Sequence, residues 1–361
     1  MQNQPNAAAS LHCYQLNAFG QPLEERHCEL PAPQGTEVVL RVLASGVCHS
    51  DLHICEGFHD LGEGRKVSME GLVPLPLTPG HEIAGEVVAL GPDASGVKLG
   101  DQVLACAWIG CGSCKACLVE QEHLCRKPRF LGLNRDGGYA NLVTVAHSRY
   151  LVALEGLDAK MAAPLGCSGL TTYSALKKID ASCALAQTPI VIIGAGGLGL
   201  MCLQILKMLG GAGAVVVEID EAKRAAAVAG GALAAFDPKQ EGASKAIRKA
   251  AGGDVGAVID FVGSGQTAKL GFDLLGQGGK LVIVGLFGGA VTLSVPLFPM
   301  KSAKIEGSYI GSLAEFRELI ALVKQKGMPQ IPLDLRPLEQ VNTALSDLQG
   351  GRVVGRVVLV P

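Results

Sequence analysis

Short runs of alternating or β-branched residues at 37–43, 83–90, 101–107 and 140–145, punctuated by Gly and Pro, predict an irregular, mostly β region across 37–150. From about 162 to about 308 the pattern changes: strand-like runs at 190–193, 214–219, 256–261 and 280–286 alternate with helical runs at 198–209, 221–229 and 266–275. Such alternation predicts βαβ units and a parallel sheet. A helical run at 312–326 and a β-rich end at 352–360 follow, and are expected to return to the first region. The expected fold class is α/β, a doubly wound parallel sheet plus a mostly β domain, divided as 1–165, 166–308 and a returning 309–361.

Composition narrows the function. The chain has 361 residues, enough for two domains with their own cores. With 31 Lys+Arg against 33 Asp+Glu and no basic run, it carries no electrostatic footprint for nucleic acid or an anionic membrane surface. Residues 181–206 are uncharged, but Pro189, Gly194, Gly196, Gly197 and Gly199 interrupt them, which predicts a buried strand, turn and helix rather than a bilayer span. The first ten residues lack the basic and apolar regions of a signal peptide, so a cytoplasmic protein is expected. The 12 Cys cluster unevenly, the pattern of metal ligation in a reducing compartment rather than of a disulfide framework.

The apolar run 190–193 ends in Gly194-Ala195-Gly196-Gly197-Leu198-Gly199, and a helical pattern follows at once. This is G-x-G-x-x-G between a strand and a helix: the first Gly makes the turn, the second admits a pyrophosphate, and the third allows close helix packing. Glu218 ends the next strand-like run, 19 residues past Gly199, where a carboxylate accepts the ribose hydroxyls and repels a 2′-phosphate. NAD is therefore expected rather than NADP, with Asp220 as the runner-up acceptor. Lys223 and Arg224 either line the adenosine side or form a solvated helix face.

Cys111, Cys114, Cys117 and Cys125 are spaced C-x2-C-x2-C-x7-C, which suits four thiolates closing round one structural Zn2+. Cys106 beside them reads as a buried thiol, and Cys13, Cys28, Cys55, Cys183 and Cys202 as ordinary thiols. A second, dispersed set comprises Cys48-His49-Ser50-Asp51-Leu52-His53, Gly80-His81-Glu82 and Cys167.

Together, and in this order, these motifs resemble the zinc-dependent medium-chain alcohol dehydrogenases over nearly the whole chain. The resemblance implies a Rossmann domain joined to a GroES-like catalytic domain, with NAD and a small alcohol, aldehyde or ketone in the cleft between them. It implies that Cys48, His81 and Cys167 hold a catalytic Zn2+ with a fourth position open, making two zinc ions per chain. Glu82 matches a carboxylate that shifts the ion's coordination, and Asp51 the acid that orients the ligand His. Ser50 matches the group that takes the substrate proton and His53 the one that passes it to solvent; alone, they read as a turn hydroxyl and a surface histidine. His49 and Arg356 match residues at the cofactor pyrophosphate, and Thr171 and Leu198 residues that pack on the nicotinamide.

Relatives acting on polyols commonly carry Glu as the third ligand, so Cys167 favours primary or secondary alcohols. A polyol dehydrogenase and a non-catalytic zinc and nucleotide-binding protein are the alternatives. The segment 279–296 resembles one through which relatives pair, which implies a homo-oligomer. One departure stands out: Cys48 and His81 are unusually far apart, with the excess at 58–75. This loop is expected at the pocket rim, at a subunit contact or as a solvated excursion, with His59 a solvated loop histidine. Trp108 either limits the substrate or belongs to the core.

Overall fold

The computed structural model describes residues 9–180 and 185–361. Cys183 and most of the opening segment lie outside the described residues.

Six parallel strands form one sheet, in the order Ala234–Phe236, Ala214–Val217, Ile190–Ile193, Val255–Asp260, Leu275–Ile283 and Lys304–Gly307. Numbered along the chain this order is 3-2-1-4-5-6, the doubly wound arrangement with its switch point between the first and fourth strands. Ile190–Ile193 and Ala214–Val217 are buried throughout, because a parallel sheet is covered on both faces and its inner strands read as continuous apolar runs. The helix Gly197–Met208 starts directly beyond the first strand, and Glu221–Ala229 follows the second with Asp220 as its N-cap.

The second sheet is largely antiparallel and gathers distant parts of the chain. Its order is Leu333–Pro337, Arg356–Val360, Val38–Gly46, Glu82–Leu90, Gln102–Ala105 and Leu151–Ala153, with Leu142–Val145 also paired to Val38–Gly46. The C-terminal strand thus inserts beside Val38–Gly46, pairing Val358 with Gly46, and this brings Arg356 to the residues around Cys48. The helix Leu313–Lys326 packs on Ser168–Asp180, which also lies against Gly197–Met208.

Most strand expectations match within a few residues, and 190–193 and 221–229 match at both ends. Several elements fall outside the expected runs: the hairpin Ala9–Gln15 with Glu24–Leu30, the strand Ala234–Phe236, and the short amphipathic helices Ala243–Ala250 and Val341–Gln349. Glu24–Leu30 is almost wholly exposed and highly charged, so burial leaves no period in it. The excess at 58–75 opens with a hairpin, Phe58–Gly62 with Arg65–Ser68, and continues through turns to 75. No helix among the described residues is long and apolar enough to cross a membrane.

Candidate active site and metal centres

The switch point of the parallel sheet opens into a cavity of about 410 Å³ lined from both sheets. On one side are Gly194, Gly196, Gly197, Leu198, Gly199, Glu218 and Lys223; on the other are Cys48, His49, Ser50, His53, His81, Cys167 and Thr171. Gly194 has φ +95°, a left-handed turn closed by its N–H donating to the Val217 carbonyl at 2.8 Å. A side chain on Gly199 would strike the Gly194 carbonyl, whereas one on Gly196 would meet nothing within 4 Å. Gly196 is also the N-cap of the helix and supplies no side-chain cap, so the first N–H groups face the cavity as donors for an anion. These features fit a dinucleotide pyrophosphate.

The Glu218 carboxylate accepts from Ala195 N–H at 2.8 Å and Asp220 N–H at 3.0 Å, which holds it at the strand end beside the glycine turn. Asp220 is committed elsewhere: its carboxylate accepts from Lys223 N–H as a helix cap. Arg224 turns away from the cleft to donate to the Glu218 and Ile219 carbonyls, so only Lys223 of the two cations lines the cavity.

Cys48, His81 and Cys167 come together from the turn before helix His49–Glu56, the start of strand Glu82–Leu90 and the turn before helix Ser168–Asp180. All three are buried, with ligand atoms within 4.8 Å of one another. His81 Nε2 is buried and has no hydrogen-bond partner, while its Nδ1 lies 3.0 Å from Asp51 Oδ1. An imidazole fixed at one nitrogen and bare at the other, beside two thiols, is the donor set a zinc ion takes. Contact with Cys167 and the cations His81 and Arg356 hold the Cys48 thiol well below its ordinary range, whereas that same contact and burial push Cys167 up. Burial disfavours a charged His81, but the Asp51 carboxylate outweighs it and raises the imidazole well above its usual value.

Asp51 is completely buried and accepts from four donors: Cys48 N–H at 3.0 Å, Gly80 N–H at 3.3 Å, His81 Nδ1 and the Tyr139 hydroxyl at 2.7 Å. Tyr139 is a positioning residue absent from the sequence reading; only the Gly137-Gly138-Tyr139 turn hints at it, and its partner lies 88 positions away. Glu82 lies outside the three-ligand cluster. One oxygen accepts from Ser168 N–H at 3.1 Å and pairs with Arg356. The Arg356 methylenes pack against Gly197, so one side chain touches the glycine turn with its stem and the metal-side carboxylate with its guanidinium.

Cys111, Cys114, Cys117 and Cys125 form a separate cluster, with Cys114 Sγ at 3.5 Å from Cys117 Sγ and 3.8 Å from Cys125 Sγ. Backbone and hydroxyl hydrogen bonds from Ser113 pull the Cys111 thiol down to about 5, and burial pushes Cys117 up to about 12. Cys111 and Lys127 N–H groups both donate to Cys125 Sγ at 3.3 Å. Four convergent sulfurs with amide donors suit a closed tetrahedral site.

His59 is not a solvated loop histidine. The hairpin turns it into the cavity, 5.2 Å from the His53 ring, and its Nδ1 is buried without a partner. The hairpin then reaches the opposite wall, where Asp60 carbonyl accepts from Gly289 N–H at 3.3 Å. Trp108 is buried as a core residue, donates to the Gly166 carbonyl at 3.2 Å, and stands edge-on to His81 at 5.3 Å in the cavity wall. Met69, Leu131, Leu133 and Tyr309 complete a largely apolar lining that carried no sequence signal.

Residues 34–156 match the alcohol dehydrogenase GroES-like domain, and 197–325 match the zinc-binding dehydrogenase domain. A relative from Sulfurisphaera tokodaii, an NAD-dependent alcohol dehydrogenase, is 38% identical over 97% of this chain and all of its own. The crystal structure of an alcohol dehydrogenase from Aeropyrum pernix superposes with a TM-score of 0.86 at 31% identity, covering 97% of this chain and 100% of that one. That of a D-arabinose dehydrogenase from Sulfolobus solfataricus gives 0.83 at 28%, covering 98% and 100%.

Proposed function

This chain belongs to the zinc-binding medium-chain alcohol dehydrogenases, and we propose that its own residues oxidise small, largely apolar primary or secondary alcohols with NAD, reversibly. The enzyme is an NAD-dependent alcohol dehydrogenase with a Rossmann and a GroES-like domain. The observation that carries the site assignment is His81, locked by Asp51 through Nδ1 and bare at a buried Nε2 beside Cys48 and Cys167.

Cys48, His81 and Cys167 would hold a catalytic zinc, and Cys111, Cys114, Cys117 and Cys125 a structural one. Zinc supplies Lewis acidity toward a hydroxyl oxygen, and NAD supplies a hydride acceptor. Asp51 holds the Nδ1 proton of His81, so that Nε2 is the nitrogen that would exchange its proton for a metal. The helix N-terminus at Gly196, with His49 and Arg356, receives the pyrophosphate; Glu218 receives the ribose; Thr171 and Leu198 shape the nicotinamide seat. Ser50 Oγ accepts the proton leaving the alcohol, and His53, one helical turn further on, carries it outward. Trp108, Tyr309, Leu131 and Leu133 exclude water and favour apolar substituents over polyhydroxylated ones.

The domain division 1–165, 166–308 and 309–361 is kept as part of this reading. A reducing, cytoplasmic location suits six free cysteines in two ligand sets. A homo-oligomer joined through 279–296 is supported by the exposed Phe287 and Val295, 73% and 75% accessible.

A panel of primary, secondary, aromatic and cyclic alcohols and polyols, assayed with NAD and NADP alongside zinc analysis, tests the whole. Two zinc per chain and chelator-sensitive NAD reduction on apolar alcohols are expected. One zinc with no hydride transfer overturns the reading, and faster turnover of polyols overturns the substrate class. Replacing the hairpin 58–68 by a short turn is expected to broaden the alcohol profile; an unchanged profile rejects its role at the pocket.

A further inference from the structure

The N-terminal hairpin carries a cluster that the dehydrogenase reaction does not use. Ala9–Gln15 and Glu24–Leu30 pair in a two-stranded sheet of their own, with His12 directly opposite His27 and Tyr14 opposite Glu25. Alternation along the strands puts His12, His27 and Glu25 on one face, with Cys28 on the other. His12 Nε2 lies 2.9 Å and His27 Nε2 3.1 Å from the same oxygen, Glu25 Oε1. The two rings stack at 4.5 Å between centroids, 1° from parallel. One of these nitrogens, His12 Nε2, is buried yet makes no well-directed hydrogen bond.

We propose that His12, Glu25 and His27 form a third metal site, for a borderline divalent ion such as Zn2+, which clips the two strands together. Imidazole and carboxylate ligands suit Zn2+, Co2+ and Ni2+, and three protein ligands leave the remaining coordination to water. At ligand bonds of about 2.0–2.1 Å a tetrahedral ion needs donor atoms about 3.3 Å apart, so the two nitrogen–oxygen spacings of 2.9 and 3.1 Å change by a few tenths of an ångström. The parallel rings must open by rotation about χ2, a soft torsion.

The backbone is held for this. His12 N–H donates to Asn141 Oδ1 at 2.8 Å, its carbonyl accepts from Asn141 N–H at 2.9 Å, and its ring rests on Tyr14 at 5.6 Å. Glu29 follows on the same strand and face, while Glu24 and Arg26, on the opposite face, pair with each other at 2.9 Å, so the local charge favours a cation. A two-stranded hairpin is marginal alone, and a cross-strand ion would stabilise it without touching the reaction.

The test is equilibrium dialysis against Co2+ of enzyme carrying two zinc ions per chain, in its two cysteine sites, with absorption spectra and hydrogen exchange of the hairpin amides. One further equivalent per chain is expected, lacking a thiolate charge-transfer band and slowing exchange at residues 9–30. His27→Ala and Glu25→Gln, both exposed positions, should each weaken it at least tenfold and leave alcohol oxidation unchanged. No further equivalent, an unaltered affinity in His27→Ala, or a thiolate band marking exchange into the cysteine clusters would each overturn the proposal.

Discussion

Arg356 and Glu82 form an ion pair almost wholly removed from solvent, 3% and 0% exposed, although 274 positions separate them in the chain. Burial alone would neutralise either group. The carboxylate outweighs it for Arg356 and keeps the guanidinium charged, while for Glu82 burial still raises the pKa against the pull of Arg356. The pair ties the last strand to the metal-side sheet and, through Gly197, to the cofactor turn.

Arg356→Met leaves Glu82 buried without its counter-charge. A loss of about 3–5 kcal/mol of stability is expected, read by denaturant unfolding, together with a raised KM for NAD. Arg356→Met with Glu82→Gln should recover much of the stability but not the KM, because of the two only the arginine lines the cavity in which the cofactor is proposed to sit.

Asp51→Asn removes a negative charge and places an amide among four donors. Zinc affinity at the Cys48 cluster is expected to fall about 10–100-fold, measured by competition with a chelator, with kcat/KM falling alongside. Tyr139→Phe removes one donor of the four and should cost about 1–2 kcal/mol of stability with a smaller loss of metal.

Glu218→Gln removes the charge proposed to repel a 2′-phosphate and to accept from the ribose. The ratio of kcat/KM for NAD over NADP is expected to drop about 10–100-fold. An unchanged ratio would reassign the acceptor.

Cys125→Ser removes one of four convergent sulfurs and both amide–sulfur bonds that it accepts. Metal analysis should fall from two zinc ions to one, with a lowered thermal midpoint, because the lobe 111–125 contains only one short helix and one 3-10 turn to hold it.

Burial and the neighbouring His53 hold the His59 imidazole below its ordinary range, so as pH falls through about 6.5 the unfolded chain takes the proton first. That contribution to stability is present at neutral pH and is lost on acidification toward the folded value. His59→Gln should therefore narrow the drop in thermal midpoint between pH 7.5 and 5.5 relative to wild type.

Much of the site was legible because its chemistry is written locally. The glycines need a strand before them and a helix after them, and both were readable from periodicity around Ile190–Ile193. The spacing of Cys111 to Cys125 is short enough for one ion to be inferred without a fold. Glu218 was readable by its offset, but preferring it to Asp220 as ribose acceptor is also supported by the structure, in which Asp220 is spent as a helix cap.

The sequence by itself determined the run of βαβ units, the nucleotide turn and the four-cysteine set, because these depend on residue type and on spacing within one strand, helix or turn. Only the tertiary structure decided which groups meet across it: Tyr139 on Asp51, Arg356 on Glu82, His59 beside His53 and His12 opposite His27. Those pairings arise from strand register and sheet order, which bring together positions from fifteen to hundreds apart, or from a hairpin folding back on the helix before it, and leave no period in the chain. The buried electrostatics that make this chain a site rather than a set of motifs is a product of that assembly.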